Sequence, residues 1–128
     1  MATRIRERAA VHAENKDLRP KATAKYISMS SSKIKRLVDL VRGKPLAQAV
    51  GILENTSSGA SDIVKKVMLS AAANAENNLE MDPSKLYVAE IYANQGPTLK
   101  RIRARAKGSA SRIRKRSSHI TVILDERA

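Results

Sequence analysis

Apolar residues in this chain follow two periods, and the switch between them marks its elements. Ile34, Leu37, Val38 and Val41 recur at i, i+3, i+4 and i+7, the stripe of an amphipathic helix, with Lys33, Lys35, Arg36 and Arg42 lying off it. Ser30-Ser31-Ser32 supplies an N-cap before the stripe and Gly43 a stop after it. Pro45 suits the first position of a second helix, whose buried face is Leu46, Ala49, Val50 and Leu53. Asn55 to Gly59 is a polar turn. A third, longer helix is predicted from about Ser61 to Leu79, with Ile63, Val64, Val67, Met68, Ala71, Ala72 and Ala75 on its apolar side. Its alanines let another backbone approach closely, and small apolar residues are mostly core.

The remaining stretches alternate with period two. Lys21 to Met29 reads as a strand with Ala22, Ala24, Tyr26 and Ser28 on one side and Thr23, Lys25, Ile27 and Met29 on the other. Asp82-Pro83 signals a turn, after which Leu86 to Ala93 is a strand rich in β-branched and aromatic types. Gly96-Pro97 interrupts the ladder as a bulge or bend would. Ser118 to Leu124 returns as a strand carrying Ile120, Val122, Ile123 and Leu124. The expected fold class is α+β: a small antiparallel three-stranded sheet packed with three helices, plus one long basic hairpin. Residues 21–126 form one domain that includes this arm at about 97–118. Residues 1–20, of mixed charge, can form a short helix that Pro20 would end. They read equally as a mobile tail or as a basic extension that orders on RNA.

The arm is the most unusual part. Lys100, Arg101, Arg103, Arg105, Lys107, Arg112, Arg114, Lys115 and Arg116 lie in a zone, Ile91 to Leu124, that holds no acidic residue. Arginines alternate with Ile102, Ala104 and Ala106 going out and again from Arg112 to Arg116 coming back, which predicts two strands. Gly108-Ser109 suits the centre of a type II′ turn. That turn would set Arg105 opposite Arg112, Arg103 opposite Arg114, and Arg101 opposite Arg116. Like charges so placed repel. Ile102 and Ile113, the bulky apolar residues between Lys100 and Arg116, contribute roughly 1.5–3 kcal/mol each if fully buried. Ordering the backbone costs about 1–2 kcal/mol per residue. The arm therefore needs an enclosing polyanion. At roughly 3.3 Å per residue it would extend about 40 Å, against a radius of gyration near 13 Å for a body of this size.

Charge as a whole agrees. The 128 residues carry a formal net charge of +13, which points first to nucleic acid and second to an anionic membrane surface. No apolar run approaches a membrane span, and no signal-peptide core opens the chain. Cysteine is absent, excluding disulfides and thiolate zinc sites. A cytoplasmic location is the default expectation. No catalytic residue, metal site or cofactor is expected, because neither a phosphate-cradling glycine motif nor a Ser/His/Asp set is present. His119 reads as a packed or RNA-facing structural residue, and Glu90 as the ion-pair partner of a nearby Lys or Arg.

Alternating arginine presents guanidinium forks that pair bidentately with phosphate. The arm lacks aromatic residues, so it reads backbone and shape rather than stacking bases. A DNA-bending β-ribbon protein would carry an apolar wedge at the tip, where this chain has Lys107, Gly108, Ser109 and Ala110. A membrane-surface or acidic-protein binder would concentrate its charge on an amphipathic helix.

Gly96-Pro97-Thr98-Leu99-Lys100-Arg101, then Arg105-Ala106-Lys107-Gly108, and Lys115-Arg116-Ser117-Ser118-His119-Ile120-Thr121-Val122 resemble the bacterial large-subunit (50S) ribosomal protein twenty-two family. The resemblance extends to the LVRG that ends at Gly43 and to AAANAEN at Ala71 to Asn77, covering roughly Lys21 to Glu126. It implies a body that binds large-subunit (23S-type) rRNA and supports early assembly. It also implies a hairpin that helps line the nascent-peptide exit tunnel near the macrolide site. The implied partners are rRNA, neighbouring ribosomal proteins and the nascent peptide, with no membrane and no homo-oligomer, in the cytoplasmic ribosome. The implied hairpin site is Lys100, Arg101, Arg103, Arg105, Lys107, Gly108, Arg112, Arg114, Lys115 and Arg116. Further rRNA-binding candidates are Lys21, Lys25, Lys33, Lys35, Arg36, Arg42, Lys44 and His119. Many family members carry Pro before the RAKG motif, where this chain has Ala104.

Overall fold

A computed structural model describes residues 2–127; Met1, the first residue of the predicted extension, lies outside the described residues. The order is α1 (Ala2–Glu14), β1 (Lys21–Ile27), α2 (Ser31–Val41), α3 (Leu46–Asn55), α4 (Ser61–Leu79), β2 (Leu86–Gln95), β3 (Leu99–Ala104), β4 (Ala110–Lys115) and β5 (Ser118–Glu126). The fold is α+β. Strands β1, β5 and β2 form an antiparallel sheet with β5 central, while β3 and β4 pair only with each other. The ranges expected for α4 and the start of α2 match the structure closely, because their apolar stripes are long and regular.

The helices α2, α3 and α4 contribute Ile34, Leu37, Val38, Val41, Ala49, Leu53, Val64, Met68, Ala71 and Ala75 to one core with Leu86, Val88, Ile91, Ile120, Val122 and Leu124 of the sheet. Ala71 and Ala75 are fully buried on α4 and Ala72 is half-buried, as the close-approach reading expected, whereas Ala73 is exposed. Gly43 adopts φ 76°, and its N–H donates to the Val88 carbonyl at 2.9 Å, tying the end of α2 to β2. Two cap details differ from expectation. Ser30 occupies the N-cap position, but its hydroxyl meets Ser32 Oγ at 2.9 Å instead of capping the helix backbone. Pro45 stands at the N-cap of α3, one residue before the expected first turn, where its extended φ and ψ also let it bridge to Tyr87.

Both outer strands bulge. In β2 the pairing passes from Val88–Leu124 to Glu90–Ile123, with Ala89 extra, so Leu86 and Val88 and then Ile91 all face the core. In β1 the pairing passes from Ala24–Ile120 to Ile27–Ser118, leaving Lys25 and Tyr26 opposite His119 alone. This overturns the strict alternation expected for Lys21 to Met29. Ala22 and Ala24 pack on the core, but so do Ile27 and Met29, while Tyr26 takes φ 58° and is exposed. Without the bulge Ile27 would have faced solvent, and burying it outweighs one irregular backbone position.

Candidate nucleic-acid interface

The main sheet stops at the pair Gln95–Ser118, and the hairpin begins at Leu99 after Gly96-Pro97. The Gly96 N–H donates to the Ser117 carbonyl at 2.9 Å, and Ser117 Oγ donates to the Pro97 carbonyl, closing the root of the arm. Beyond the root, every residue of β3 is exposed, Ile102 to 77%. In β4 only Ser111 and Ile113 are half-buried. The arm touches too little of its own body to be held by packing.

Its register corrects the sequence-based one. Arg101 lies opposite Ile113, Arg103 opposite Ser111, Ile102 opposite Arg112, and Lys100 opposite Arg114. The expected arginine pairs are therefore offset by three residues, and the reason is electrostatic and conformational together. The expected register sets three arginine pairs face to face, whereas this one leaves Lys100–Arg114 as the single directly opposed cation pair. The turn's centre sits one residue earlier than expected, which accounts for two of the three residues of offset, and a three-residue loop, Ala106 to Gly108 between Arg105 and Ser109, accounts for the third. Lys107 and Gly108 both take positive φ, 56° and 68°, as the two central residues of a type I′ turn do. Ser109 N–H and Oγ both donate to the Ala106 carbonyl, at 3.3 and 2.8 Å, and Arg105 N–H donates to the Ser109 carbonyl at 2.9 Å.

An odd offset moves each strand's side chains to the other face. Arg101, Arg103 and Lys115 therefore share one face of the ribbon, and Lys100, Arg112 and Arg114 share the other. Arg105, Lys107 and Gly108 form the tip, and Arg116 sits between β4 and β5 at the root. The arm is thus cationic on both faces, and none of its arginines or lysines forms a salt bridge among the described residues.

The further candidates are scattered over the body. Lys21, Lys25, Lys33, Lys35 and Arg36 are exposed. Arg42 is also exposed, but it pairs with Asp39 at 2.8 Å and donates to the Ile91 carbonyl at 3.0 Å, strapping α2 to β2. Lys44 is half-buried, and its carbonyl accepts from Val88 N–H at 3.0 Å. His119 is also half-buried; its Nδ1 accepts from the Tyr26 N–H at 3.0 Å, and the two rings meet edge-on at 5.0 Å. Glu90 has the expected ion-pair partner, Arg19, at 2.8 Å. Arg19 also grips Asp17 with two nitrogens, at 3.0 and 2.7 Å, and this holds the Asp17 carboxyl down at a pKa of about 2. Helix α1 carries Arg4, Arg6 and Arg8 with every residue from Thr3 to Glu14 exposed.

Tyr26 is the residue that sequence reasoning passed over. Period-two counting placed it on the face of Ala22 and Ala24, and no local signal marks a left-handed tyrosine. Among the described residues no three His, Cys, Asp or Glu side chains gather as a metal site, and no helix is long and apolar enough to cross a membrane.

Comparison with known proteins agrees with these features. Residues 22–125 match the family model described as ribosomal protein L22p/L17e. The large ribosomal subunit protein uL22 of Clostridium novyi is 54% identical over 108 residues, 84% of this chain and 97% of the relative. Its counterpart in Clostridium tetani is 56% identical over 107 residues, 84% and 96% of the two chains. That of Lachnospira eligens is 54% identical over 122 residues, 95% of this chain and 92% of its own length, so this similarity reaches into α1. A match that spans the body and the whole arm shows that the chain belongs to the L22p/L17e family of ribosomal proteins, a family of structural proteins and not of enzymes.

Proposed function

We propose that this chain is built into the large ribosomal subunit by binding large-subunit rRNA, with the hairpin threaded between RNA segments and the body seated on their surface. The observation that carries the reading is the two-faced ribbon, with three cations on each side and no internal counter-charge. A ribbon lying on one RNA surface needs charge on one face only. A ribbon enclosed by RNA needs it on both, and phosphate contacts of this kind fix position and orientation without reading sequence. The site comprises the arm cations from Lys100 to Arg116, supplemented by Lys21, Lys25, Lys33, Lys35, Arg36, Arg42, Lys44 and His119 on the body.

The narrow tip at Ala106 to Ser109 suits a segment that reaches deep into the subunit. There it helps line the exit tunnel near the macrolide site, past which the nascent peptide moves. Neighbouring ribosomal proteins and rRNA assembly intermediates are the other partners. The domain spans residues 21–126; Asp17 to Pro20 are already tied to it through Arg19 and the Pro20 carbonyl, while the exposed helix α1 stays mobile relative to the body until RNA orders it.

The direct test is sedimentation of a lysate of the source cells through a high-salt sucrose cushion. Stoichiometric retention with large subunits is the expected result. Retention at low salt alone, or recovery with DNA, would reduce the chain to a generic basic binder.

A further inference from the structure

We infer that the cleft at the root of the hairpin holds one unstacked nucleotide, its base against Tyr26 and its phosphate between Lys33 and Arg116; this rests on the rRNA-binding reading and adds a specific contact to it. The cleft, of about 590 Å³, lies between the end of β1, the start of α2 and the two chains leaving the hairpin. That volume falls within the range of roughly 300–1,000 Å³ in which small-molecule sites lie. Lys33, Arg114, Lys115 and Arg116 line it, and no carboxylate does. Met29, Pro97 and Leu99 supply an apolar floor.

Tyr26 is what makes this cleft more than a charged groove. A bulky side chain at φ 58° is an outlier, and such a position persists only where the surroundings impose it. Here the β1 bulge imposes it, and the backbone is locked by the hydrogen bond from Tyr26 N–H to His119 Nδ1. Bulges re-aim side chains. This one brings the phenol ring into the cleft, where 69% of the residue's surface stays open. The His119 ring stands at 85° to it, so it supports the tyrosine without stacking flat on it.

An exposed ring contributes little to the stability of the body. An aromatic face inside a basic groove is, however, the combination by which proteins hold single-stranded nucleic acid, because every base offers a π-face. The arm has no such ring. The cleft therefore divides the labour: the ribbon binds backbone, and its root captures one base that has left its stack. An acidic protein segment would use the cations but leave the tyrosine idle.

The test uses the full chain and a short single-stranded oligouridylate, whose bases stack weakly, carrying one 2-aminopurine, whose fluorescence falls on stacking, beside the same strand annealed to its complement. Wild type should bind the single strand more tightly than the duplex and quench the probe. Tyr26→Phe should preserve both properties. Tyr26→Gly suits the positive φ and should fold. It should abolish the quench and weaken single-strand binding by about 5- to 150-fold, with the salt dependence unchanged, because a stacked ring releases no counterions. Lys33→Ala and Arg116→Ala should each lower the slope of log affinity against log salt by about 0.7. Equal behaviour of Tyr26→Gly and wild type, failure of Tyr26→Phe alongside Tyr26→Gly, or no preference for the single strand would overturn the nucleotide site while leaving rRNA binding intact. Weakening toward polyglutamate as large as toward RNA would also overturn it, assigning the cleft to an acidic segment. Wild type that binds neither RNA form would overturn the rRNA reading as well.

Discussion

Gly96 and Ser117 are packed so closely that a β-carbon on Gly96 would lie 2.7 Å from the Ser117 hydroxyl oxygen. That oxygen is committed to the Pro97 carbonyl, and the His119 ring stands 3.2–3.3 Å from the same point. The space is therefore closed on two sides, at the one place where the arm joins the body. Gly96→Ala should cost about 1–3 kcal/mol of stability through overpacking and re-aim the hairpin. Urea unfolding should show the lower midpoint, and rRNA binding should weaken beyond it at temperatures where the body remains folded. Removing the hydroxyl in the Gly96→Ala, Ser117→Ala double variant should recover part of the stability. A single variant as stable as wild type would show that the root is looser than this geometry.

The two cationic faces of the arm can be tested separately. Arg101→Ala with Arg103→Ala removes two of the three cations of one face, leaving Lys115, and Arg112→Ala with Arg114→Ala removes two of the three of the other, leaving Lys100. If RNA encloses the ribbon, each pair should weaken rRNA binding. Each should also lower the slope of log affinity against log salt by roughly 1.4–1.8, two contacts at about 0.7–0.9 each. Salt titration of the two double variants decides between enclosure and one-sided contact. If one pair is silent, the ribbon lies on a surface.

Much of the body was legible because burial enforces periodicity. Ile34, Leu37, Val38 and Val41 lie on one stripe of α2 and are all buried. The three-stranded sheet and the arm's exit at Gly96-Pro97 were likewise readable from alternation and turn chemistry. The hairpin's register was not, since no buried face disciplines an arm whose β3 residues are all exposed. Gly108 marked the turn, but a lysine at φ 56° beside it has no signature in composition or period. Tyr26 escaped for the same reason. Its position depends on which of Ile27 and Tyr26 the core accepts, and that choice is made by the helices packed on the sheet. Among the site residues, the arm cations stood out as a charge run, whereas the commitment of Arg42 to Asp39 and Ile91 needed coordinates.

Ser118 begins the central strand fully buried, and its hydroxyl has no hydrogen-bond partner among the described residues. A buried hydroxyl left unpaired costs about 1–3 kcal/mol relative to a paired one. Ser118→Ala removes the orphan group while keeping nearly the same volume. It should leave stability unchanged or raise it by up to about 1 kcal/mol, with rRNA affinity unaltered. Thermal unfolding is the check, and a clear loss of stability would mean that the hydroxyl has a partner in solution.

The clasp at the start of the body sets a pH dependence. Arg19 holds Asp17 and reaches Glu90 on β2, while the Pro20 carbonyl accepts from Leu124 N–H at 2.9 Å on β5. The Arg19 side chain lowers the Asp17 pKa from its ordinary 3.8 to about 2. A depressed carboxylate pKa means that the ordering is fully present above pH 3.8 and is lost as pH falls toward 2. The Arg19 Nε–H resonance should therefore move across that interval. Its midpoint should lie near the lowered value and not near 3.8. In Asp17→Asn the movement through that window should disappear, while the Arg19–Glu90 contact can persist. Because Asp17 and Glu90 are exposed and Arg19 is only half-buried, added salt should weaken the clasp. A midpoint that stays near 3.8 at low salt would show that Asp17 and Arg19 do not hold each other in solution, and that β2 and β5 alone anchor this segment.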